Sequence, residues 1–380
     1  MSDAEVGVRP GSGADVTAAG RRSGARSEQS DAVSDPVRIG LASFAHVHAA
    51  AYAEILRDRR DVELRVADPD AILAADAGQH PRGAELADML GVHLVDSYAE
   101  LLDWCAGLVV CTETARHREL VERAASAGVA VLCEKPLATT VSDARAMVRA
   151  CAGADVPLMT AYPVRLHPEF AAVRAAVRSG RIGRVLSAQG INNGRAPFGE
   201  RAWFADRRMA GGGALADHTV HLADLLDLLL ESPATTVYAQ TNGILHGDHP
   251  LVSGSRIDTG GLVVVEYADG TVATIDCSWS APDSYPAWGG LALTLHGEDG
   301  AVAFDAFSDR LELFDDAVGS VRWPDVGPDL NALLLGEFVD VVRTGRAGQP
   351  DGLAGLRTLA LVEAAYASAA SGMPEPVQQV

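Results

Sequence analysis

Two short groups of residues could carry acid–base chemistry, and the first is Glu134-Lys135-Pro136, directly after the apolar run VAVLC. A strand of a parallel sheet delivers the residues at its carboxyl end into the crevice where ligands bind, so we expect Glu134 and Lys135 to face a ligand. Lys135 would then place a cation beside a reacting hydroxyl or carbonyl oxygen. The alternative interpretation is a lysine that forms a surface ion pair at a strand end.

The second group is Asp217 and His221, four residues apart in ALADHTVHLADLLDLLL. On a helix this spacing places both side chains on one face. The imidazole can take a hydroxyl proton as a hydride leaves the carbon, while the carboxylate orients the ring and raises its pKa. The glycines from Gly211 to Gly213 would let the backbone come near a ligand. The alternative is a solvated pair on an amphipathic helix.

The elements that must position these groups fall into two patterns. From residue 37 to 160, short β-branched runs alternate with helical stretches, which predicts a doubly wound parallel sheet with helices on both faces. Afterwards, strands of period two with turn signals at Asp269-Gly270 and Asp299-Gly300 predict a largely antiparallel open sheet. We therefore expect an α/β protein with an N-terminal Rossmann domain and a C-terminal α+β domain.

Three segments follow from these patterns. Residues 1–36 are rich in Ser, Gly, Ala, Asp and Arg without apolar periodicity, which predicts a disordered tail. Residues 37–160 form the predicted dinucleotide-binding domain. Residues 161–375 form the predicted domain that binds substrate and makes the oligomer contacts.

The turn after the first predicted strand is a candidate phosphate site. Its backbone lies where a pyrophosphate would rest against N–H groups and a helix N-terminus, with the candidate residues Gly40, Ala42, Ser43, Phe44 and Ala45. Alanine replaces two of the three expected glycines, and the methyl group of Ala42 stands where the backbone should approach the phosphate. Taken alone, this turn equally fits an ordinary connection between a strand and a helix.

Asp68 ends the second predicted strand, VELRVAD. A carboxylate there can accept hydrogen bonds from the adenosine ribose hydroxyls, and it would repel a 2'-phosphate. The cofactor prediction is therefore NAD, with NADP disfavoured. The alternative role for Asp68 is to start the ADPD turn.

Two longer segments resemble the signatures of the Gfo/Idh/MocA (glucose–fructose oxidoreductase/inositol dehydrogenase) family. They are VVCTETARHRELVERAASAGVAVLCEKPLATT and GGGALADHTVHLADLL, and the resemblance extends over about residues 37–375. It implies that Lys135, Asp217 and His221 form the catalytic group, without deciding whether Lys135 or His221 is the formal base.

The resemblance also implies contacts with the cofactor and the substrate. The implied cofactor residues are Thr112, His117, Glu134, Lys135 and Arg165, and the candidate substrate residues are Tyr162, Trp203 and His218. Core packing is the alternative for Tyr162 and Trp203. Glu113 departs from the family pattern, and its carboxylate would repel the cofactor phosphates unless it points to solvent or meets an arginine.

Composition limits the possible partners and compartment. The 380 residues include 51 acidic and 31 basic residues, and the resulting formal charge of −20 argues against binding to nucleic acid or to an anionic membrane. The five cysteines lack the spacing of a disulfide or metal framework, which predicts a reducing, cytoplasmic compartment and no metal site. The uncovered face of the second sheet predicts a homodimer or homotetramer.

These observations predict an NAD(P)-dependent oxidoreductase that moves a hydride between nicotinamide and a secondary alcohol of a sugar, inositol or other polyol. Two other functions stay open. The resembling family also contains glycosidases that use NAD transiently, and a non-catalytic nucleotide-binding protein would explain the altered glycine turn.

Overall fold

The computed structural model describes residues 35–73, 80–199, 201–285, 289–309, 313–315, 320–322 and 326–380. The predicted tail over residues 1–36 lies outside the described residues, apart from its last two. Within the described ranges, no helix combines the length and the apolar character needed to cross a bilayer.

The first sheet contains six parallel strands. Their order is β3 (His93–Val95), β2 (Val62–Ala67), β1 (Val37–Ala42), β4 (Gly107–Val110), β5 (Ala130–Cys133) and β6 (Leu158–Thr160). This 3-2-1-4-5-6 order is that of a Rossmann fold, in which a crevice opens at the carboxyl ends of β1 and β4. Every residue of β4 and β5 is buried, which explains why both sequences are apolar throughout.

Helices connect these strands and cover both faces of the sheet. They are α1 (Ala49–Asp58), α2 (Gly83–Leu90), α3 (Tyr98–Trp104), α4 (His117–Ser126) and α5 (Val141–Gly153). Along β1, Ile39 and Leu41 enter one apolar core while Ala42 enters the other. The side chain of Thr140 accepts a hydrogen bond from the backbone N–H of Asp143, so α5 begins at a capping residue.

The second sheet contains seven strands. Their order is β12 (Ala301–Asp305), β11 (Gly289–Gly297), β7 (Val185–Gly194), β10 (Val272–Ser278), β9 (Gly260–Tyr267), β8 (Ala234–Asn242) and β15 (Glu375–Pro376). The β7–β10 pair is parallel and the other neighbouring pairs are antiparallel. The two predicted turns join β9 to β10 and β11 to β12, so the largely antiparallel sheet is confirmed. A separate ribbon pairs β13 (Leu313–Asp315) with β14 (Ser320–Arg322).

The remaining helices attach the second sheet to the first. They are α6 (Pro168–Arg178), α7 (Arg207–Ala210), α8 (Ala214–Leu230), α9 (Leu330–Thr344) and α10 (Gly352–Ser371). Helices α8 and α10 pack together on one face of the second sheet. Helix α9 packs against α1 and β1, so a late part of the chain completes the core of the first sheet. The domain bounds at 37–160 and 161–375 stay a prediction.

Candidate functional site

An ion pair joins the end of β5 to the first turn of α8. The Lys135 Nζ donates to the Asp217 Oδ1 at 2.5 Å, and the Lys135 side chain is 2% exposed. Burial alone would raise the pKa of Asp217, but the Lys135 ammonium, with smaller contributions from His218 and Trp279, outweighs burial and holds that pKa below its usual range. Lys135 is also the single lysine among the 31 basic residues of the sequence. The structure thus brings together two of the three predicted catalytic residues.

The second oxygen of Asp217 has a partner that the sequence did not indicate. The Trp279 Nε1 donates to the Asp217 Oδ2 at 2.9 Å. No hydrogen bond in which the Asp217 carboxylate accepts from the His221 ring is found among the described residues, so the expectation that Asp217 orients this ring was wrong. A charge-assisted bond to an ammonium is stronger than one to a neutral ring, and Asp217 turns towards Lys135 accordingly.

His221 lies one helical turn beyond Asp217, on the same face of α8. It lines a cavity of about 440 Å³ together with His48, Asn192, Leu291 and other residues. Burial lowers the pKa of His221 well below its usual value, and the Lys135 charge acts in the same direction. The Asp217 charge raises this pKa in the expected direction, but burial outweighs it, so the net direction is downwards. The ring is therefore neutral near pH 7 and can accept a proton.

Glu134 lies beside two histidines that follow β1, and one of them, His48, is within hydrogen-bond distance. The His48 Nδ1 lies 3.0 Å from the Glu134 Oε1, and the His46 Nδ1 lies 3.6 Å from the same oxygen. The backbone N–H of Lys135 donates to the other oxygen at 3.1 Å. Burial would raise the pKa of Glu134, but His46, His48 and the Lys135 ammonium together outweigh burial and lower that pKa. The carboxylate therefore stays ionised in the cleft between β1 and β5.

This histidine–carboxylate cluster has the donor types of a metal site. The donor atoms of His46, His48 and Glu134 all lie within 4.8 Å of one another. Two features oppose a cation there: the Lys135 ammonium acts on the same group, and His48 caps the N-terminus of α1, which carries partial positive charge. The hydrogen bond between His48 and Glu134 also satisfies both residues without an ion. We assign no metal to the cluster.

The turn after β1 buries the side chains that the sequence placed beside a phosphate. Ala42, Phe44 and Ala45 are 0% exposed, so their side chains pack inside the protein and their backbone is covered as well. Gly40 is required by packing, since a Cβ atom there would lie 2.9 Å from Leu101. Ser43 has a φ of +76°, a backbone region that favours glycine. The Ser43 hydroxyl accepts from the Ala45 N–H and stabilises this turn.

Asp68 is saturated by protein donors. Its oxygens accept from the Ser43 hydroxyl at 2.9 Å, from the Arg82 guanidinium at 2.8 and 3.2 Å, and from the Gly83 N–H at 3.0 Å. A carboxylate offers about four acceptor positions, so a ribose hydroxyl would have to replace one of these donors. Asp68 lies where the sequence placed it, with Arg82 as an unforeseen partner.

The Glu113 carboxylate meets arginines. This is one of the two arrangements expected from the sequence, the other being a carboxylate that points to solvent. Its Oε1 lies 3.5 Å from Arg82, and its Oε2 lies 3.5 Å from Arg116. These cations offset the carboxylate charge that would repel a phosphate.

Thr112 and His117 lie at the carboxyl end of β4. The Thr112 hydroxyl is buried and has no hydrogen-bond partner among the described residues. The two ring nitrogens of His117 lie 3.1 Å from the Leu137 carbonyl and 3.2 Å from the Thr112 carbonyl. Thr112 therefore has an atom left for a ligand, whereas His117 links the turns after β4 and β5.

The polar groups of Tyr162 and Arg165 bind to other side chains of the protein. The Tyr162 hydroxyl bonds to Thr358 at 2.7 Å, and its ring meets the edge of His221 with centroids 5.7 Å apart. Arg165 forms a two-pronged ion pair with Asp224 of α8. Burial raises the pKa of Asp224 to about 6 although Arg165 opposes that rise. Both residues support α8, and neither is among the residues that line the cavity.

Trp203 and His218 are buried beside the site. The Trp203 indole donates to the Ala45 carbonyl at 2.9 Å, so it covers the turn after β1. The His218 Nε2 lies 3.5 Å from Asp217, and burial lowers the pKa of His218 to about 4. Neither residue is among those that line the 440 Å³ cavity.

The glycines before α8 serve packing instead of the predicted approach to a ligand. A Cβ atom on Gly213 would lie 1.9 Å from the Asp258 carbonyl oxygen, and one on Gly212 would lie 2.1 Å from the Tyr366 hydroxyl. The Asp258 carboxylate accepts from the N–H groups of Gly213 and Leu215. A negative charge at the helix N-terminus stabilises the start of α8 and so fixes Asp217.

Sequence reasoning missed four residues at this site: His46, His48, Asn192 and Trp279. His46 and His48 could have been found, because two histidines close to a candidate phosphate turn are unusual ligand-type residues. Asn192 donates to the His218 carbonyl at 3.0 Å and lines the cavity, and nothing in its strand sequence marks it.

Comparison with known families matches both sheets. Residues 37–162 match the oxidoreductase family with an NAD-binding Rossmann fold, and residues 170–303 match the GFO/IDH/MocA C-terminal domain. Inositol 2-dehydrogenase of Rhizobium meliloti is 30% identical over 318 residues, covering 79% of this chain and 90% of the relative. D-apiose dehydrogenase of Paraburkholderia graminis is 29% identical over 294 residues, covering 72% of each chain.

Solved structures share the complete fold. GenD2 from gentamicin A biosynthesis in complex with NAD has a TM-score of 0.78 at 23% identity, over 91% of this chain and 98% of that one. Levoglucosan dehydrogenase in complex with NADH and levoglucosan has a TM-score of 0.73 at 20% identity, over 91% of this chain and 100% of that one. The family matches confirm the predicted fold class, enzyme class and NAD cofactor. The chain belongs to the Gfo/Idh/MocA family of oxidoreductases, with an NAD-binding Rossmann fold.

Proposed function

We propose that this oxidoreductase transfers a hydride between nicotinamide and a secondary alcohol carbon of a sugar, inositol or other polyol. The observation that carries the proposal is the buried Lys135–Asp217 pair, which joins β5 to α8 one helical turn before His221, a residue that lines the cavity. Relatives named inositol 2-dehydrogenase and D-apiose dehydrogenase support a polyhydroxy substrate.

Each of the three residues has a distinct role in this proposal. His221 accepts the proton of the substrate hydroxyl, because its imidazole is neutral near pH 7 and lines the cavity. Lys135 donates a hydrogen bond to the same oxygen and stabilises its developing negative charge. Asp217 holds the ammonium in position as an ionised carboxylate.

The cofactor would be held by the turn from Gly40 to Ala45 and by Thr112 and Glu134. Buried polar atoms without partners are costly, so the free Thr112 hydroxyl fits a site that a ligand completes. The ionised Glu134 can accept hydrogen bonds from ribose hydroxyls. Bound NAD supplies the carbon that takes or returns the hydride.

A substrate screen tests the proposed reaction. Purified protein is mixed with NAD or NADP and with inositols, sugars and sugar alcohols, and the absorbance of reduced nicotinamide is followed. We expect steady reduction with NAD, less with NADP, and none in the Lys135→Met variant. Hydrolysis of aryl glycosides without net NADH would favour the glycosidase-type function, and NAD binding without turnover of any substrate would favour the non-catalytic nucleotide-binding function.

We further propose a homodimer or homotetramer that buries the outer face of the second sheet. Ile191 of β7 and Leu262 of β9 are 47% and 50% exposed, and both pair with Asp276 of β10. Residues that share a cross-strand partner lie on one face, so these two exposed apolar side chains flank the exposed Asp276 on the outer face of the sheet, where a partner subunit could cover them. Light scattering should give a dimer or tetramer, and an Ile191→Arg/Leu262→Arg variant should dissociate. A monomeric wild-type protein would contradict this assembly.

The five cysteines support a reducing, cytoplasmic compartment for the protein. All five are buried and unpaired by disulfides. Free thiols are stable where glutathione and thioredoxin keep them reduced. Fractionation of cells that express the full chain should recover it with cytosolic markers, and recovery in a periplasmic or secreted fraction would contradict the assignment.

A further inference from the structure

We propose that Trp279 is a positioning residue, whose indole N–H fixes the Asp217 carboxylate in the orientation that holds Lys135 in the cleft. The proposal rests on the proposed function of Lys135 and Asp217, and it extends the site to a residue of the second sheet. Trp279 touches neither the reacting atoms nor the cofactor in this account. It acts through Asp217.

The contacts of the Asp217 carboxylate are divided between two elements. Its Oδ1 accepts from the Lys135 ammonium at 2.5 Å, and its Oδ2 accepts from the Trp279 indole at 2.9 Å. Donors on both oxygens fix the rotation of a carboxylate, which is otherwise the softest torsion of the side chain. The His218 imidazole lies 3.5 Å from the Oδ2, too far to replace the indole as a strong donor.

Trp279 is itself held rigidly. It follows β10 directly, is 0% exposed and is the largest fully buried side chain among the described residues. Its backbone N–H donates to the Thr259 carbonyl at 2.9 Å, and its own carbonyl accepts from the His246 ring at 2.7 Å. Its ring packs edge-on against Phe198. A residue anchored on both backbone groups and on its ring can transmit a fixed position to the atom it binds.

The simpler interpretation is that Trp279 fills the core and finds any available acceptor. The acceptor here is a buried carboxylate already paired with a cation, and a hydrogen bond to a charged group is stronger than one to a neutral group. A second buried indole offers a comparison inside the same protein. Trp203 donates at the same 2.9 Å, but to the Ala45 carbonyl in the turn after β1.

Because Lys135 is the only lysine, selective lysine labelling gives one side-chain signal in an NMR spectrum. We expect Trp279→Phe to shift that signal, because the carboxylate beside the ammonium turns. Trp104→Phe is the matched control, since Trp104 ends α3 and stacks under Arg65 away from the cleft. Trp203→Phe should leave the lysine signal in place and weaken NAD binding.

A double-mutant cycle separates positioning from core packing. Trp279→Phe should lower kcat about 10- to 100-fold and change the NAD dissociation constant less than about threefold. Asp217→Asn should make a further Trp279→Phe change nearly without effect on kcat, because the indole acts through the carboxylate. Additive losses would overturn the proposal, as would a wild-type lysine signal in a folded Trp279→Phe protein.

Asp217→Asn alone keeps the test valid if Trp279→Phe fails to fold. In this variant the NMR signal of the Trp279 indole N–H should move upfield, because a neutral amide accepts a hydrogen bond more weakly than a carboxylate does. An unmoved indole signal would overturn the proposal. Both spectra are recorded without substrate, so they remain decisive even if no polyol is oxidised and the proposed function fails.

Discussion

The two ends of the cleft are built on different electrostatic principles. At the end proposed to bind adenosine, called the adenosine end and defined by Asp68, Arg82 and Glu113, acids and arginines form ion pairs with one another. The Arg82 side chain is 5% exposed and binds both carboxylates. Asp68 is therefore saturated by protein donors, whereas the Glu113 Oε2 has ion-pair contacts but no hydrogen-bond partner among the described residues.

At the end proposed to bind nicotinamide, called the nicotinamide end and defined by Lys135, Asp217 and His221, the ammonium and the imidazole are the groups proposed to act on a ligand. The ion pair consumes Asp217, but His221 lines the cavity and its Nδ1 has no partner in the described part of the chain. Unsatisfied buried polar atoms are costly and persist where function requires them.

This difference predicts separable effects. Changes at the adenosine end should alter cofactor affinity and stability, because the side chains there shape the turn after β1. Changes at the nicotinamide end should alter turnover, because the side chains there handle the proton. A substitution at one end that changed the quantity assigned to the other end would show that the two ends are coupled.

The largest expected effect is that of Lys135→Met. Removal of the ammonium should lower kcat about a thousandfold, since the alkoxide charge loses its donor, while NAD affinity changes little. Steady-state kinetics and a fluorescence titration with NAD measure the two quantities. Lys135→Arg is the matched variant and should not rescue, because a planar guanidinium cannot reproduce a compact ammonium. More than a tenth of wild-type kcat in either variant would contradict the role of Lys135.

His221→Asn should lower kcat about a hundredfold, because general acid–base catalysis contributes about that much. Thermal unfolding should show a folded protein. His93→Gln, an exposed histidine on β3, is the control and should keep wild-type kinetics. An unchanged kcat in His221→Asn would leave Lys135 as the only base.

Arg82→Gln probes the adenosine end. Asp68 would lose two of its donors, so the turn after β1 should loosen and the KM for NAD should rise about tenfold, with kcat changed less than about twofold. Arg118→Gln, which breaks an exposed ion pair on α4, should change neither. A fall in kcat at constant KM would break the proposed division.

The smallest expected effect is a pH dependence of the free energy of unfolding. It comes from two buried histidines, His46 and His218. Burial lowers the pKa of His46 to about 3 and that of His218 to about 4, whereas an unfolded histidine titrates near about 6.5. The unfolded chain binds more protons between these values, so the free energy of unfolding should fall as pH drops from about 6.5 towards 4. Each such histidine contributes up to about 1.4 kcal/mol per pH unit.

Urea unfolding at several pH values between 7.5 and 4.5 measures this slope. His218→Gln should flatten it, and the exposed His93→Gln should not. A wild-type free energy of unfolding that does not change with pH would contradict the burial of neutral imidazoles.

The sequence predicted the parts of this molecule that leave a local pattern. Alternation of strands and helices predicted the Rossmann sheet, and the two Asp-Gly turns predicted the hairpins of the second sheet. The spacing of Asp217 and His221 correctly placed both on one face of α8. The Glu134-Lys135 pair lies at the end of β5, as the apolar run before it indicated.

What failed depended on contacts between distant segments. Asp217 is 62 residues from Trp279 and 82 residues from Lys135, and no periodicity records which donor a carboxylate meets. Gly213 was interpreted as a ligand contact because its clash with Asp258 is invisible in the sequence. Gly213 and Asp258 are distant in the sequence, so only the tertiary structure shows their contact.

A stopped-flow measurement tests the central claim most directly. The wild-type enzyme or the Lys135→Met variant is mixed with NAD and an oxidisable polyol. The absorbance of reduced nicotinamide is then followed through the first turnover. The account predicts a rapid single-turnover rise in the wild type, and in Lys135→Met a rise slowed by about a thousandfold despite normal NAD binding. Equal first-turnover rates in the two proteins would contradict it.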